Sequence, residues 1–400
     1  KIVEGTVAVG DIGTDAVGAD ELANNAVDTN AIADDAVTGA KIENNPTIAG
    51  NLTVTGDLVP STPLSHRNHL INGDFQVNQR WPSYTAGDNN DDTYVLDRWY
   101  LLSDSNNVVD VTQSSTAPTN QLYSIGLDVE TADKKFGIAQ IIENKNCVGL
   151  IGNNVTFSFK AKVSATTKLD NVKAGIIAWS GTADSVTSDV VSAWAVEGTN
   201  PTLAANLTFE NTPANLNVTT SWATYSVSAN IDTSSTTNVI VFIWSDVTDT
   251  STGDFLYITD CQLEQGSNAT PFEHRSFGDE LARCLRYYQL MTSTGDSAQI
   301  VFGGVAQHNS TDAYWVHRFL VPFRAAPTLE LTLGSNFKVE GNNTSATITD
   351  LYINGGWGSP QSQGSAYGIR MFATVSGTQG TAGWLTQTAT GGYMAFTAEL

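Results

Sequence analysis

Charge is scarce in this 400-residue chain: Asp, Glu, Lys and Arg make up 15% of it, against about a quarter in ordinary soluble domains. Bases are the scarcer kind, 19 Lys and Arg against 41 Asp and Glu, so the net charge is −22. That field repels phosphate backbones and anionic membrane surfaces, so nucleic acid is excluded as a partner. Cysteine is also rare. Cys147, Cys261 and Cys284 lie far apart with neither a disulfide framework nor a metal-ligand spacing, and buried free thiols are expected. No apolar run reaches the ~18 residues of a membrane-spanning helix, and no signal peptide is visible. The five histidines, His66, His69, His274, His308 and His317, are scattered. Neither GxSxG nor HExxH occurs, which removes the common serine-hydrolase and zinc-peptidase signatures. Nothing calls for a cofactor.

What is present is repetition. Val7, Val17, Val27 and Val37 are ten apart, and so are Ile12, Leu22, Ile32 and Ile42. Ten residues leave a helix roughly 80° out of phase, so an apolar stripe drifts. The Val-to-Ile step is odd, so one straight strand splits the two between faces. Each decad therefore reads as a short apolar piece followed by an Asn, Asp or Gly turn. About two large apolar groups per unit cannot offset the entropy of ordering it alone. Three identical chains around one axis would bury the stripe, with these eight residues as the core of a trimeric shaft; a disordered acidic linker is the other open reading. Lys1-Ile2 stands where Lys41-Ile42 stands in the repeat. The chain is thus expected to be a piece of a longer protein whose repeats continue upstream. In "NPTIAGNLTVTGDLVPSTP", Ile48, Leu52, Val54 and Leu58 share a parity, which is strand-like, and Pro60 and Pro63 mark a hinge.

Beyond the hinge the pattern is strands and polar turns. "VTFSFKAKVS" sets Phe157, Phe159, Ala161 and Val163 on one face and Ser158, Lys160 and Lys162 on the other. "NVIVFIWSD" is a continuous apolar run, as in a strand buried on both faces, and "KAGIIAWSG" and "SWATYSVSA" look similar. Strands at this spacing predict a mostly β chain with a two-sheet antiparallel, jelly-roll-like sandwich. "SFGDELARCLRYYQL" is the exception: Leu281, Cys284, Leu285 and Tyr288 recur at helical spacing, with Ser276 or Asp279 as cap. A short helix is expected near 277–290. The predicted organisation is a decad shaft (1–45), a β shaft and hinge (46–67), the sandwich (68–275), a helical connector (276–294) and a β-rich C-terminal tip (295–400). In "AYWVHRFLVPFR" both faces carry apolar groups, which suits a strand packed on its own core and on a neighbouring chain.

Several stretches resemble the receptor-binding tail fibre proteins of tailed bacteriophages: "LINGDFQVNQR" near Leu70, "LDRWY" at 96–100, "TFSFKAKVS", "CQLEQGSNATPFEHRS" at 261–276, "ELARCLRYYQL" and "FLVPFRAAPTLEL". "DAVTGAKI" and "AGNLTVTGDL" resemble fibre shaft repeats. The resemblance covers nearly all of the chain, most specifically at 261–290. It implies a homotrimer in the virion tail, with a thin shaft, a sandwich similar to carbohydrate-binding modules and a distal tip. Its partners would be an upstream tail or baseplate protein and a bacterial surface polysaccharide or outer-membrane component. The rivals are a capsule-degrading tailspike-type depolymerase, another virion appendage and a secreted carbohydrate-binding module.

Aromatic rings stack on sugars while amides and carboxylates bind hydroxyls. Trp179, Trp222 and Trp244 lie in strand-like runs and are expected in the core. Trp357, Tyr367, Trp384 and Tyr393, flanked by glycine near turns, and Trp81 and Tyr84 in a polar loop are the candidate receptor contacts. A glycosidase pair would need two flanking carboxylates, for which Asp88, Asp91, Asp92 and Asp97 are the candidates; the first three read as solvated turn residues and Asp97 as an ion pair with Arg98, so no enzyme is predicted. His66 with His69, and Asp246 with Asp249 and Asp254, are weak candidates for a metal.

Overall fold

The computed structural model describes residues 65–80, 83–84, 89–291, 300–307, 312–331, 336–341, 344–353, 364–376, 382–388 and 393–400. All belong to one compact unit, Ser61–Leu400. The shaft positions Val7, Ile12, Val17, Leu22, Val27, Ile32, Val37 and Ile42, and the hinge residues Ile48 to Pro63, lie outside the described residues.

The first strands, in chain order, are β1 (Ser83–Tyr84), β2 (Tyr100–Ser103), β3 (Val109–Ser114), β4 (Ser124–Val129), β5 (Phe136–Ile142), β6 (Asn154–Val163), β7 (Val172–Trp179), β8 (Val191–Ala193), β9 (Thr202–Leu203), β10 (Leu207–Phe209), β11 (Ala223–Asn230), β12 (Asn238–Ser245) and β13 (Phe255–Gln265). They form two antiparallel sheets, β1-β3-β4-β13-β6-β11 and β10-β7-β12-β5-β2, and a β8-β9 hairpin. Phe157, Phe159, Ala161 and Val163 of β6 face inward, as their alternation predicts, and meet Ile138, Val241 and Ile243 of the second sheet.

The outer faces of the two sheets differ. The second sheet is roofed: Val186, Val190, Trp194 and Phe209 cover Ile240, Phe242 and Trp244, so β12 is buried at every position. The first sheet is open beside β11. That strand alternates between half-buried and exposed residues, so the expectation that "SWATYSVSA" is buried on both faces like "NVIVFIWSD" does not hold. β11 is an edge strand, and every second residue on it is exposed among the described residues, whereas β7 runs inside a covered sheet.

Ser276 caps the helix Phe277–Leu285, its Oγ accepting the Asp279 N–H at 3.2 Å. The helix stops short of the expected 290 because the chain turns at Arg286 and pairs as β14 (Tyr288–Leu290) with the final strand. The remaining strands are β15 (Ile300–Gln307), β16 (Asp312–Arg318), β17 (Thr328–Leu331), β18 (Phe337–Gly341), β19 (Thr344–Ile353), β20 (Gly364–Ser365), β21 (Gly368–Ser376), β22 (Ala382–Gln387) and β23 (Met394–Thr397). The order β16-β15-β22-β18-β19-β21 closes on itself because β16 also pairs with β21. The resulting barrel holds its own core of Trp315, Val339, Ile348, Met371 and Leu385.

The stretches that carry the resemblance converge at one seam. Asn72 donates to Val77 O at 2.8 Å and Asp97 O at 3.1 Å, and its own carbonyl accepts Trp99 Nε1–H at 3.0 Å. Gly73 lies so close to β13 that a Cβ there would sit 2.1 Å from Cys261 O. Glu280 of the helix accepts the Asn72 N–H and pairs with Arg275. Arg98 pairs with Glu399 and stacks 3.7 Å over Tyr287; Arg80 pairs with Glu399 at 2.9 Å and stacks 3.9 Å over Tyr288. "LINGDF", "LDRWY", "CQLE" and "CLRYY" therefore hold the sandwich to the helix and the last strand. The expected Asp97–Arg98 pair is not formed: Asp97 accepts Gln79 N–H at 2.7 Å, and Arg98, at φ +71°, turns to Glu399.

Candidate functional site

The open face is built outward from β6. Ala161 faces the core, so Lys160 and Lys162 face out. Ala223 is level with Ala161, which sets Trp222, just ahead of β11, beside Lys162. On the other side Lys162 is level with Tyr257, and Tyr257 with Gly126. A Cβ on Gly126 would lie 3.2 Å from the Tyr257 ring and from Thr112 Oγ1; glycine there lets the ring rest on the sheet. Phe255 stacks on Tyr257 at 5.2 Å with planes 4° apart, and Trp222 lies 6.4 Å from Tyr257. Lys162 Nζ sits 5.2 Å from the Tyr257 ring centre and 5.7 Å from that of Trp222. All four side chains are half-buried. Burial holds the Tyr257 phenol above its ordinary range.

Two residues along β6 the ladder runs into a cleft of about 410 Å³. Lys160 Nζ lies 2.9 Å from Asp260 Oδ2, and Gln121 Nε2 donates to Asp260 Oδ1. Asp260 stands at φ +55°, where the register of β13 slips between Thr259 and Gln262. Bulges of this kind re-aim side chains, and a non-glycine residue at positive φ is a strained position that its surroundings must hold. Thr224, Ser158 and Thr270 add hydroxyls, and Phe272 with His274, edge to face at 5.0 Å, forms an aromatic wall. Beyond Tyr257, Asp110 and Asp128 face each other across β3 and β4. Burial first, and Glu130 second, raise both carboxyls.

A larger cavity, about 620 Å³, lies beside the helix. Two of its three arginines are already engaged: Arg275 pairs with Glu280, and Arg286 with Glu143 at 2.8 Å.

Among the sequence candidates for receptor contact, Trp81 and Trp357 lie outside the described residues, and of Tyr84 only the backbone, in β1, is described. Tyr367 is 70% exposed and Trp384 41%. Tyr393 is turned inward, its hydroxyl donating to Glu330 Oε2 at 3.0 Å and touching Tyr288 OH. Trp244 is buried as expected, but Trp179 and Trp222 are only half-buried. Trp222 departs from the core expectation because its parity is that of Lys162 and not of core-facing Ala161 and Ala223, so its ring lies on the outer face. His66 sits by the helix cavity, whereas His69 Nδ1 lies 3.0 Å from Asn146 O; burial lowers the His69 pKa. Asp246 is no free oxygen ligand: it is buried between Lys135 Nζ at 2.7 Å and Lys173 Nζ at 2.8 Å. Asp254 accepts Ser251 N–H at 2.8 Å, and Asp249 lies 3.8 Å from Lys168. Among the described residues no cluster of three or more His, Cys, Asp or Glu could hold a metal ion. Asp88 lies outside the described residues. Asp91 accepts Ser103 N–H at 2.7 Å, and burial, with Asp91 and Asp189 nearby, pushes the Asp92 carboxyl up to about 6.

The sequence pointed to Lys160 and Lys162 as outward-facing but not to Trp222, Phe255, Tyr257 or Asp260. "FLYITD" does alternate Phe255 and Tyr257 against Leu256 and Ile258, a readable signal. The bulge at Asp260 has none.

No protein-family model matches the chain, and no curated protein matches it. Among solved structures, it is similar to the enzymatically active domain of tailspike protein 4 of bacteriophage CBA120, at 14% identity and TM-score 0.29, over 50% of this chain and 21% of that one. TmCBM61 in complex with β-1,4-galactotriose aligns at 15% identity and TM-score 0.27, over 50% and 99%. The CBM22-1 xylan-binding domain from Paenibacillus barcinonensis aligns at 11% and 0.24, over 47% and 94%.

Proposed function

We propose that this chain is a non-enzymatic virion protein, a homotrimeric bacteriophage tail fibre that recognises a bacterial surface glycan on the open face of its six-stranded sheet. The observation that carries the glycan reading is the juxtaposition on that face: the Trp222–Tyr257–Phe255 ladder beside the Lys160–Asp260–Gln121 cleft. A pyranose offers apolar C–H groups to such rings and hydroxyls to such polar groups, and a sheet holds both at fixed spacing. The fibre reading rests on the decads and on the stretches that resemble tail fibre proteins. Three copies on one axis would turn weak single-site affinities into firm attachment, with an upstream tail or baseplate protein holding the other end. Exposed Tyr367 and Trp384 are a second candidate contact in the C-terminal barrel.

The test is retention of polysaccharides, extracted from candidate host cells, by the full chain, by Trp222→Ala and by Tyr257→Ala. Retention lost by roughly tenfold or more in both variants, at unchanged melting temperature, is expected; retention by both at wild-type strength refutes this face. Light scattering checks the oligomer: three times 42.6 kDa is expected, and a monomer removes the fibre.

The depolymerase reading has one observation in its favour, the facing Asp110 and Asp128 with raised carboxyl pKa values beside Phe255. Release of reducing ends from a retained polysaccharide, lost in Asp128→Asn, would establish it.

A further inference from the structure

We infer that this groove takes an acidic glycan, one whose sugars carry carboxylate groups, with the ammonium groups of Lys160 and Lys162 as its anion contacts. The inference rests on the glycan reading above and specifies its ligand.

On a chain of net charge −22, two neighbouring cations on an open face are not the default. The two lysines are separated by one residue on β6 and point the same way, about 7 Å apart at the backbone. Lys162 has no carboxylate within 4.0 Å among the described residues; its neighbours are the rings of Trp222 and Tyr257. An ammonium that only leans on rings keeps its remaining N–H donors for a ligand. Lys160 does have a carboxylate, but the arrangement is layered. The Asp260 side chain is 4% exposed and that of Lys160 34%, so a ligand meets the ammonium and not the acid beneath it. Gln121 occupies the second oxygen of Asp260, which makes Asp260 a positioning residue for Lys160.

The other acids named on this face, Asp110 and Asp128, lie apart from the lysines. In the order β3-β4-β13-β6, Asp110 and Asp128 are on β3 and β4, and Asp128 is level with Phe255, whereas Lys162 is level with Tyr257. A carboxylate held at Lys162 is thus two strands across and two residues along from Asp128. A neutral glycan would need only the rings and hydroxyls. Phosphate favours the two-point fork of arginine, and no arginine lines the cleft among the described residues.

The experiment uses the full chain on immobilised polymers: polygalacturonate, alginate and hyaluronan, each beside its carboxyl-reduced form, a glycerol-phosphate teichoic polymer, and neutral xylan and galactan. At least one uronate polymer is expected to be retained. Reduction of its carboxyls is expected to weaken retention by about tenfold or more, the worth of a charged hydrogen bond. Raising salt from about 50 to about 500 mM should weaken it further. Lys162→Met should show the same loss on the acidic polymer and none on its reduced form, with partial rescue by Lys162→Arg. Equal retention of native and reduced forms overturns the inference, as does preference for the teichoic polymer or for a neutral one. In the neutral case the glycan reading survives if Trp222→Ala still abolishes retention; retention of no polymer of any kind removes both.

Discussion

Asp246 decides between a metal site and a buried ion cluster. Its carboxylate is 0% exposed, the Lys135 and Lys173 side chains are 2% and 4% exposed, and both ammonium groups lie within 2.8 Å of it. The Gly198 N–H adds a third donor at 2.8 Å, and Lys173 also donates to Asn200 Oδ1 at 3.0 Å. Asp246→Asn keeps the shape and removes the only negative charge among these groups, leaving two buried ammonium groups uncompensated. Breaking a buried pair in this way costs about 3–5 kcal/mol. At roughly 1.4 °C per kcal/mol for a unit as long as Ser61–Leu400, from about 2.1 cal/mol/K of unfolding entropy per residue, the melting temperature falls by about 5 °C. Replacing all three by Lys135→Met, Asp246→Leu and Lys173→Met costs much less, because no charge is left stranded. The assay is calorimetric melting of wild type and both variants, each with millimolar calcium and with chelator. An Asp246→Asn protein that melts within ~1 °C of wild type would refute the cluster argument. A wild-type melting temperature that rises with calcium and falls with chelator in an Asp246-dependent way would restore the metal reading.

Three further outcomes follow from the packing. Gly73→Ala places a Cβ 2.1 Å from the Cys261 carbonyl oxygen, and backbone cannot give way as a side chain does; a loss of at least ~2 kcal/mol is expected in urea melts. The folded Asp92 carboxyl titrates at about 6 against an ordinary 3.8, so its charge opposes folding, and stability falls as pH rises through that window. Asp92→Asn should therefore stabilise by ~1 kcal/mol near pH 8, discounted because the group is half-buried, and by nothing near pH 4. All three cysteines are buried, and burial pushes the Cys147 thiol up to about 12. A thiol reagent at neutral pH should label none of them until the protein unfolds, and fast labelling of any would contradict the core assignment.

Much of the sandwich was legible because a strand with one wet face must alternate. "VTFSFKAKVS" gave its inner and outer rows directly, and the unbroken "NVIVFIWS" marked a strand covered on both sides. The helix start was legible because Ser276 is followed at the right spacing by Asp279 and an apolar stripe; its early end was not, because the pull on Tyr288 comes from β23, more than a hundred residues away. Trp222 was legible in part: "WATYSVSA" alternates Ala223, Tyr225 and Val227 against Trp222, Thr224 and Ser226, which puts Trp222 on the face away from the core, but that this outer face is the uncovered one depends on the sheet order and not on local pattern. Asp97 and Arg98 are neighbours in sequence yet serve opposite partners, Gln79 and Glu399, which no local pattern encodes. Flanking glycines mark the tip aromatics, but glycine neighbours do not tell an inward ring such as Tyr393 from an outward one such as Tyr367.

Hydroxyl-radical footprinting of the full chain, with and without a retained polysaccharide, addresses the central claim most directly. Protection of Trp222, Tyr257 and His274, with Tyr367 and Trp384 unchanged, is the predicted result. Protection confined to Tyr367 and Trp384, with Trp222 and Tyr257 oxidised at the free rate, would contradict it and move recognition to the C-terminal barrel.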